Sequence, residues 1–396
     1  MQPTTWAERA QAAADSVNEG FGHRILRVVP GTWIASIARP ARKIGRPWDP
    51  WHYWWQAHYL DCLVDASWRQ LGHDPSAQGD DPSRGGGPRE LRLARALLAS
   101  IKVRNFFQYR NAFYDDMAWL CLAADRAEHL TELVTHHGLR DARTVARTLG
   151  RQLVSANTSD GGGGLFWNTQ RRFKNTPATS PAALFFARSG DRGRAQALVD
   201  WLHSTLFDPA RGLYLDGINL NRDGTTELIE GIWTYNQGPV LGALVALGGP
   251  ENLARAEALI AAVDAHLTVD WETHDGARGR ALRGDGGGDG GLFMGILARY
   301  LTVAAVSRSV SPEARATARR LVVDTAEALW SGAEERQARR GAQGGETYWT
   351  FPQKPGQAAS DEYPPGRRVE LSTQLQAWMV LEFAHELTLE RKPQRD

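Results

Sequence analysis

The feature that most constrains this chain is an alternation of two kinds of helix. Helical periodicity recurs from end to end, and strand-like alternation is almost absent. The spacing predicts helices near residues 4–18, 50–70, 88–104, 114–127, 141–154, 180–189, 191–205, 235–247, 251–267, 291–306, 312–330 and 370–388. The fifth has Val145, Leu149 and Leu153 on one stripe among arginines, and the ninth has Leu253, Ile260, Val263 and Leu267 among charged residues, so these belong on a surface. The eighth (PVLGALVAL) and tenth (GLFMGILARYLTVAAV) are apolar nearly all round and belong inside. Even helices begin near 51, 114, 180, 235, 291 and 370. Six helical hairpins of this size close into an all-α (α/α)6 barrel, a toroid with odd helices outside and even ones inside, as a single domain over 1–396. An open solenoid would need capping repeats.

The connections alternate too. Those from odd to even helices, at 154–179, 206–234, 268–290 and 331–369, are long and rich in Gly, Asp and aromatics, while most of the others are short. In an up-and-down toroid all odd-to-even connections meet at one end, which becomes a decorated mouth where binding residues belong. The stretches DDPSRGGGP (80–88) and ERQARRGAQGG (335–345) read as surface loops. Ser180-Pro181 and Ser311-Pro312 each place a cap before a first-turn proline, and Asp141 is placed to cap the fifth helix.

Composition excludes several classes. With 46 basic and 45 acidic residues there is no electrostatic footprint for nucleic acid or for an acidic polymer. No apolar run reaches membrane-spanning length. The first residues lack a basic stretch followed by an apolar one, so the expectation is a cytoplasmic protein, or a secreted one whose leader lies outside this sequence. Cys62 and Cys121 sit in apolar helical segments as buried thiols. Gly161 to Gly164 lack the Lys-Ser/Thr of a phosphate loop, Asp285 and Asp289 lack calcium-loop spacing, and His52, His58, His136 and His137 have no metal-ligand arrangement, so neither cofactor nor metal is expected. The 15 Trp and 40 Gly suggest flat rings lining a cleft, the faces on which sugars stack, or simply a large core filled with aromatics.

The segment NAFYDDMAWLCLA puts Asp115 and Asp116 at the start of the fourth, inner helix, hence at the mouth. The helix N-terminus favours a carboxylate nucleophile there, while repulsion and burial raise the pKa of its neighbour toward that of a working acid. Acidic residues at helix starts are also ordinary caps. Other mouth segments mix rings with amides and charges: WDPWHYWWQAH (48–58) with Trp54 and His58, and DGGGGLFWNTQRRFKN (160–175) with Trp167, Asn168, Lys174 and Asn175. GIWTYNQG, GDGGGDGGLFMG and ELSTQLQAW continue the series. These are groups that stack a sugar and grip its hydroxyls. Three readings follow: a glycoside hydrolase, a sugar epimerase or isomerase, and a glycan-binding protein without turnover. The second would favour paired histidines in the mouth.

The ordered set FYDDMAW (113–119), GGGGLFWNT (161–169), FKNTPATSPAAL (173–184), LYLDGI (213–218), IWTYNQGPVLGAL (232–244) and DGGLFMGILARYL (289–301) resembles glycoside hydrolase family 76. The resemblance runs from about residue 48 to the end. It implies an (α/α)6-barrel α-1,6-mannanase of the mannan endo-1,6-α-mannosidase type, acting with retention on an α-mannoside. By similarity Asp115 is the nucleophile and Asp116 the acid/base. Asp216 and Asp289 would contact sugar hydroxyls, with Trp167, Tyr235, Asn236, Gln237 and Phe293 shaping the subsites. The chain departs from the pattern at Met294, where relatives often carry lysine, and in the 331–369 insert with Tyr348, Trp349 and Tyr363.

Overall fold

The computed structural model describes residues 3–40, 50–72, 87–272, 276, 278–337 and 347–389. Most of the 80–88 and 335–345 stretches therefore lie outside the described residues. Twelve long helices are present among the described residues: α1 (Trp6–Gly20), α2 (Tyr53–Gln70), α3 (Arg89–Arg104), α4 (Tyr114–Thr135), α5 (Arg140–Ala156), α6 (Thr176–Arg188), α7 (Arg192–Thr205), α8 (Thr234–Leu247), α9 (Pro250–His266), α10 (Gly290–Val306), α11 (Pro312–Ser331) and α13 (Leu371–Thr388). A single turn, α12 (Ala359–Glu362), precedes the last.

The inner wall is a closed ring. Helix α2 packs on α4, α4 on α6, α6 on α8, α8 on α10, α10 on α13 and α13 back on α2. Each inner helix is backed by the helix that follows it, α3 on α2, α5 on α4, α7 on α6, α9 on α8 and α11 on α10. The sixth hairpin joins the chain ends, because α1 packs against α13. The two burial patterns match this placement: α5 buries one stripe (Ala142, Val145, Leu149, Leu153, Ala156), whereas α10 buries thirteen of its seventeen residues. Cys62 and Cys121 are buried and free. No helix among the described residues is long and apolar enough to cross a membrane.

Local chemistry sets the helix starts, with two corrections to the sequence reading. Ser311 caps α11 by accepting from Ala314 N, with Pro312 in the first turn, as expected. Helix α6, however, begins at Thr176 and not at the Ser180-Pro181 pair; Asn175 caps it by accepting from Ala178 N at 3.1 Å, and Pro181 lies inside the helix. Asn175, with Pro177 in the first turn, takes the cap where strand pairing holds it opposite Gly217. Asp141 is not a cap: α5 starts at Arg140, and its first residue has no side-chain cap. Helix α4 runs eight residues past its expected end, since Leu130 and Thr131 remain buried.

The mouth connections also carry small sheets. Phe173–Asn175, Gly217–Leu220 and Thr226–Ile229 form a three-stranded antiparallel sheet, and hairpins join Thr268–Glu272 to Arg278–Leu282 and Glu334–Gln337 to Thr347–Thr350. Strands of three to five residues are too short to leave a period-two signal among glycines.

Candidate active site

The starts of five inner helices, α2, α4, α6, α8 and α10, line a cavity of about 1000 Å³, and the start of α13 joins them where Gly288 N donates to Glu370. Its floor is the first turn of α4. Asp115 and Asp116 both line it, together with Trp119, which stands one turn further along the same face. The segment entering α4 is stitched to the loop before α6: Tyr114 N donates to Trp167 O at 2.8 Å, and Thr169 N to Ala112 O at 2.9 Å. This stitching brings Trp167 Nε1 to 3.0 Å from Asp115 Oδ2, to which it donates. Asp116 receives a short hydrogen bond from Asn111 Nδ2, and Asn111 Oδ1 in turn accepts from Phe113 N.

The two carboxyls differ in their surroundings. Burial raises the Asp115 pKa to about 7, against the opposing hydrogen bonds from the Asp116 backbone and the Trp167 indole. Asp116 is pushed up further, first by burial and then by the negative charge of Asp115. Both shifts favour a proton shared within the pair, and the larger one falls on Asp116.

Two aromatic walls flank this floor. On one side Tyr235 stacks on Phe293, with centroids 3.7 Å apart and planes 6° from parallel, and Trp54 and Trp233 pack against the same Phe293 at 6.3 and 6.0 Å. On the other, Trp167 contacts Phe113 at 5.1 Å and Phe173 at 6.2 Å. Asp289, the residue before α10, accepts from the indoles of Trp54 at 3.1 Å and Trp55 at 2.9 Å. Asp216 is placed by the short sheet: Thr176 N donates to its carbonyl, and Gly217 next to it comes so near Lys174 O that a Cβ would sit at 2.4 Å. Burial raises the Asp216 pKa to about 6, opposed by a 3.5 Å hydrogen bond from Asn236 Nδ2.

Of the residues singled out in the sequence, Asp115, Asp116, Trp54, Trp167, Asn175, Asp216, Tyr235, Asp289 and Phe293 line the cavity. Five do not. His58 is one helical turn below Trp54, buried under it and Trp119 at 5.5 and 5.0 Å, and burial lowers its pKa to about 3, so it stays neutral. Lys174 is wholly buried, its ammonium donating to the carbonyls of Thr158, Gly163 and Gly164; it braces the glycine turn. Gln237 clamps the backbone of Tyr214 through both ends of its amide. Asn236 acts one layer back, on Asp216, and Asn168 turns its Oδ1 to Gln170 N. A polar side chain in a mouth motif thus serves either the cleft or the loop that forms it, and spacing does not separate the two.

Other lining residues were not singled out: Trp51, His52, Tyr53, Asn105, Gln108, Arg110, Asn111, Phe113, Trp119, Gln152 and Phe173. Phe113 and Trp119 stood within the Asp-Asp motif, and Trp119, at i+4 from Asp115, could have been found by helical spacing. His52 is the only histidine among the lining residues, and it stacks on Trp55 at 4.4 Å, so a pair for proton abstraction is not assembled. The 331–369 aromatics pack elsewhere, Trp349 on Trp330 and Tyr363 against Thr373. Among the described residues no group of three or more His, Cys, Asp or Glu is arranged to hold a metal ion.

A double-walled helical barrel whose mouth sets two half-buried carboxyls between aromatic walls has the make-up of a glycoside hydrolase. The sequence profile of glycosyl hydrolase family 76 matches residues 36–363, and the chain belongs to that family. Among solved structures, the GH76A α-1,6-mannanase from Salegentibacter sp. HEL1_6 is 28% identical, with 97% of this chain and 100% of that chain covered and a TM-score of 0.73. An inactive variant of that mannanase, with two adjacent aspartates changed to asparagine, was solved with α-1,6-mannotriose; it is 27% identical over the same shares, again at 0.73. A family 76 mannosidase from Bacteroides thetaiotaomicron, 16% identical over 98% of this chain and 99% of that one, shares the fold at a TM-score of 0.70. Comparison with curated protein sequences gives no match.

Proposed function

We propose that this chain is a retaining α-1,6-mannanase in which Asp115 is the nucleophile and Asp116 the acid/base. One observation carries the reading: adjacent carboxyls on the first turn of α4 share one cavity floor, yet hold different partners and different proton affinities. Adjacency favours the separation of about 5–5.5 Å that retention requires over the roughly 6.5–9.5 Å of inversion. The α-1,6-mannan assignment draws support from the Salegentibacter mannanase and its mannotriose complex.

In the first step Asp115 attacks the anomeric carbon as Asp116 passes its proton to the departing glycosidic oxygen, leaving a mannosyl ester on Asp115. Asp116, now a carboxylate, takes a proton from water; the oxygen attacks the same carbon, and Asp115 leaves as it began. Tyr235, Phe293 and Trp54 present flat faces to the sugar rings, and Asp216 and Asp289 accept from hydroxyls. The test is to follow cleavage of α-1,6-mannooligosaccharides by NMR. An α-anomer released first is expected. A β-anomer released first overturns the assigned roles, and comparable cleavage of β-glucans overturns the substrate.

A further inference from the structure

The rim of the mouth carries a patch that hydrolysis does not use. Two odd-to-even connections meet there, one after α1 and one after α3. Trp33 N of the first donates to Ser100 Oγ in α3 at 2.8 Å. His23 of the first has its pKa lowered by burial and then by the charges of Arg27 and Arg104, so both segments converge on it. Leu26, Val28, Val103, Phe106 and Phe107 are exposed on this patch, the two phenylalanines by 86% and 74%.

This exposure is built into the backbone. Leu26, Arg27, Phe106 and Phe107 have φ of 49°, 60°, 54° and 61°, left-handed values that side chains with a Cβ avoid, here in two consecutive pairs. Around the apolar tips Arg24, Arg27 and Arg110 are exposed, and Lys102 and Arg104 partly so. The sequence has no Asp or Glu between Glu19 and Asp49, nor between Glu90 and Asp115. A neutral mannan offers nothing to these cations, and two copies of the patch would set like charges face to face. Apolar tips in a frame of cations match an anionic lipid surface, where rings enter the headgroup layer and arginines meet phosphates.

We propose that this rim docks on an anionic lipid surface through Phe106 and Phe107, framed by Arg24, Arg27 and Arg110. Asn105, Gln108 and Arg110 line the cleft on either side of the phenylalanines, so docking brings the mouth to glycans displayed at that surface. This last consequence, and the exclusion of a neutral mannan as partner of the cations, rest on the mannanase reading.

The experiment floats the full chain with vesicles of phosphatidylcholine alone and of phosphatidylcholine mixed with phosphatidylglycerol. Binding to the mixed vesicles, weakened by salt and much lower on phosphatidylcholine, is expected. F106N/F107N keeps residues that tolerate left-handed backbone and should weaken binding about tenfold or more. R24E/R27E should weaken it by at least a similar factor, since each cation near an anionic leaflet contributes roughly fivefold. Thermal midpoint and mannotriose hydrolysis, measured beside these, should not move. Absence of binding, equal binding to both vesicles, or binding indifferent to both variants overturns the proposal. So does a concentration-dependent dimer lost in F106N/F107N, or slower cleavage of long mannan by that variant without vesicle binding, which would make the rings a sugar platform. Failure of the wild type to cleave mannotriose while still floating would sink the mannanase reading and leave the docking intact.

Discussion

The barrel holds two pairs of aspartates, one buried and one half-buried at the cavity, that differ in their partners. Below the floor, Asp61 and Asp65 lie one turn apart on α2, facing Arg126 of α4 and Arg299 of α10. Arg299 grips Asp65 at 2.8 and 3.2 Å, and Arg126 pairs with both aspartates. Two anions and two cations cancel, and the quartet ties three inner helices together. Burial alone would raise the Asp61 pKa, but Arg299 and Arg126 outweigh it and hold it below the usual range. At the mouth Asp115 and Asp116 have neutral donors, an indole, a side-chain amide and backbone N–H groups, and their pKa values rise. The same side chain is held ionised where arginine answers it and has its pKa raised where only neutral donors do.

The largest test of this contrast is at the mouth. Asp115→Asn should lower turnover on the order of 10⁴-fold while isothermal titration still registers mannotriose binding, because the amide keeps the shape and loses the nucleophile. Wild-type-like turnover would remove Asp115 from the mechanism. Below the floor the opposite split is expected. Arg299→Met leaves Asp65 under-compensated and should cost about 3–5 kcal/mol in urea unfolding, with turnover per folded molecule largely kept. A variant that stays stable but loses activity would make the quartet part of the site.

A subtler effect concerns proton affinity. Trp167→Phe removes the indole donor that stabilises ionised Asp115, so the Asp115 pKa should rise and the acid limb of kcat/KM should move to higher pH. An unmoved limb would mean that another group sets it. The smallest effect is on stability. Asp115 and Asp116 have folded pKa values raised above the unfolded value near 3.9, so what they contribute is present below that pH and is lost as pH rises through the folded values, about 7 for Asp115. Asp61, with its depressed value, contributes above its unfolded pKa and loses that contribution as pH falls through the folded one. Asp116→Asn should therefore raise the thermal midpoint at neutral pH by roughly 1–3 °C, and by less near pH 4. A lower midpoint at neutral pH would show the ionised pair to be stabilising.

Most of the scaffold was legible before any coordinates. The stripe on α5 and the all-round apolar α8 and α10 record which wall each helix occupies, since burial on one side or every side leaves a periodicity or its absence in the residues themselves. The Asp-Asp pair could be placed at the mouth because it starts an inner helix. Local signals were less decisive: the cap expected at Ser180 lies at Asn175, and strands too short to alternate left no period.

What the sequence alone determined is the set of helices, their two kinds, and the end of the barrel at which the chemistry gathers. Tertiary structure decided closure, through the pairing of α1 with α13 across the length of the chain. It also decided which polar residues face the cleft. Lys174 and Gln237 turned inward because buried carbonyls and amides of the mouth loops need donors and acceptors, while Asn111 gained its place only when its segment was pinned beside Trp167. Periodicity reports burial within one element, whereas a hydrogen-bond partner 20 or 200 residues away is chosen in space, and the spacing of residues along the chain carries no trace of it.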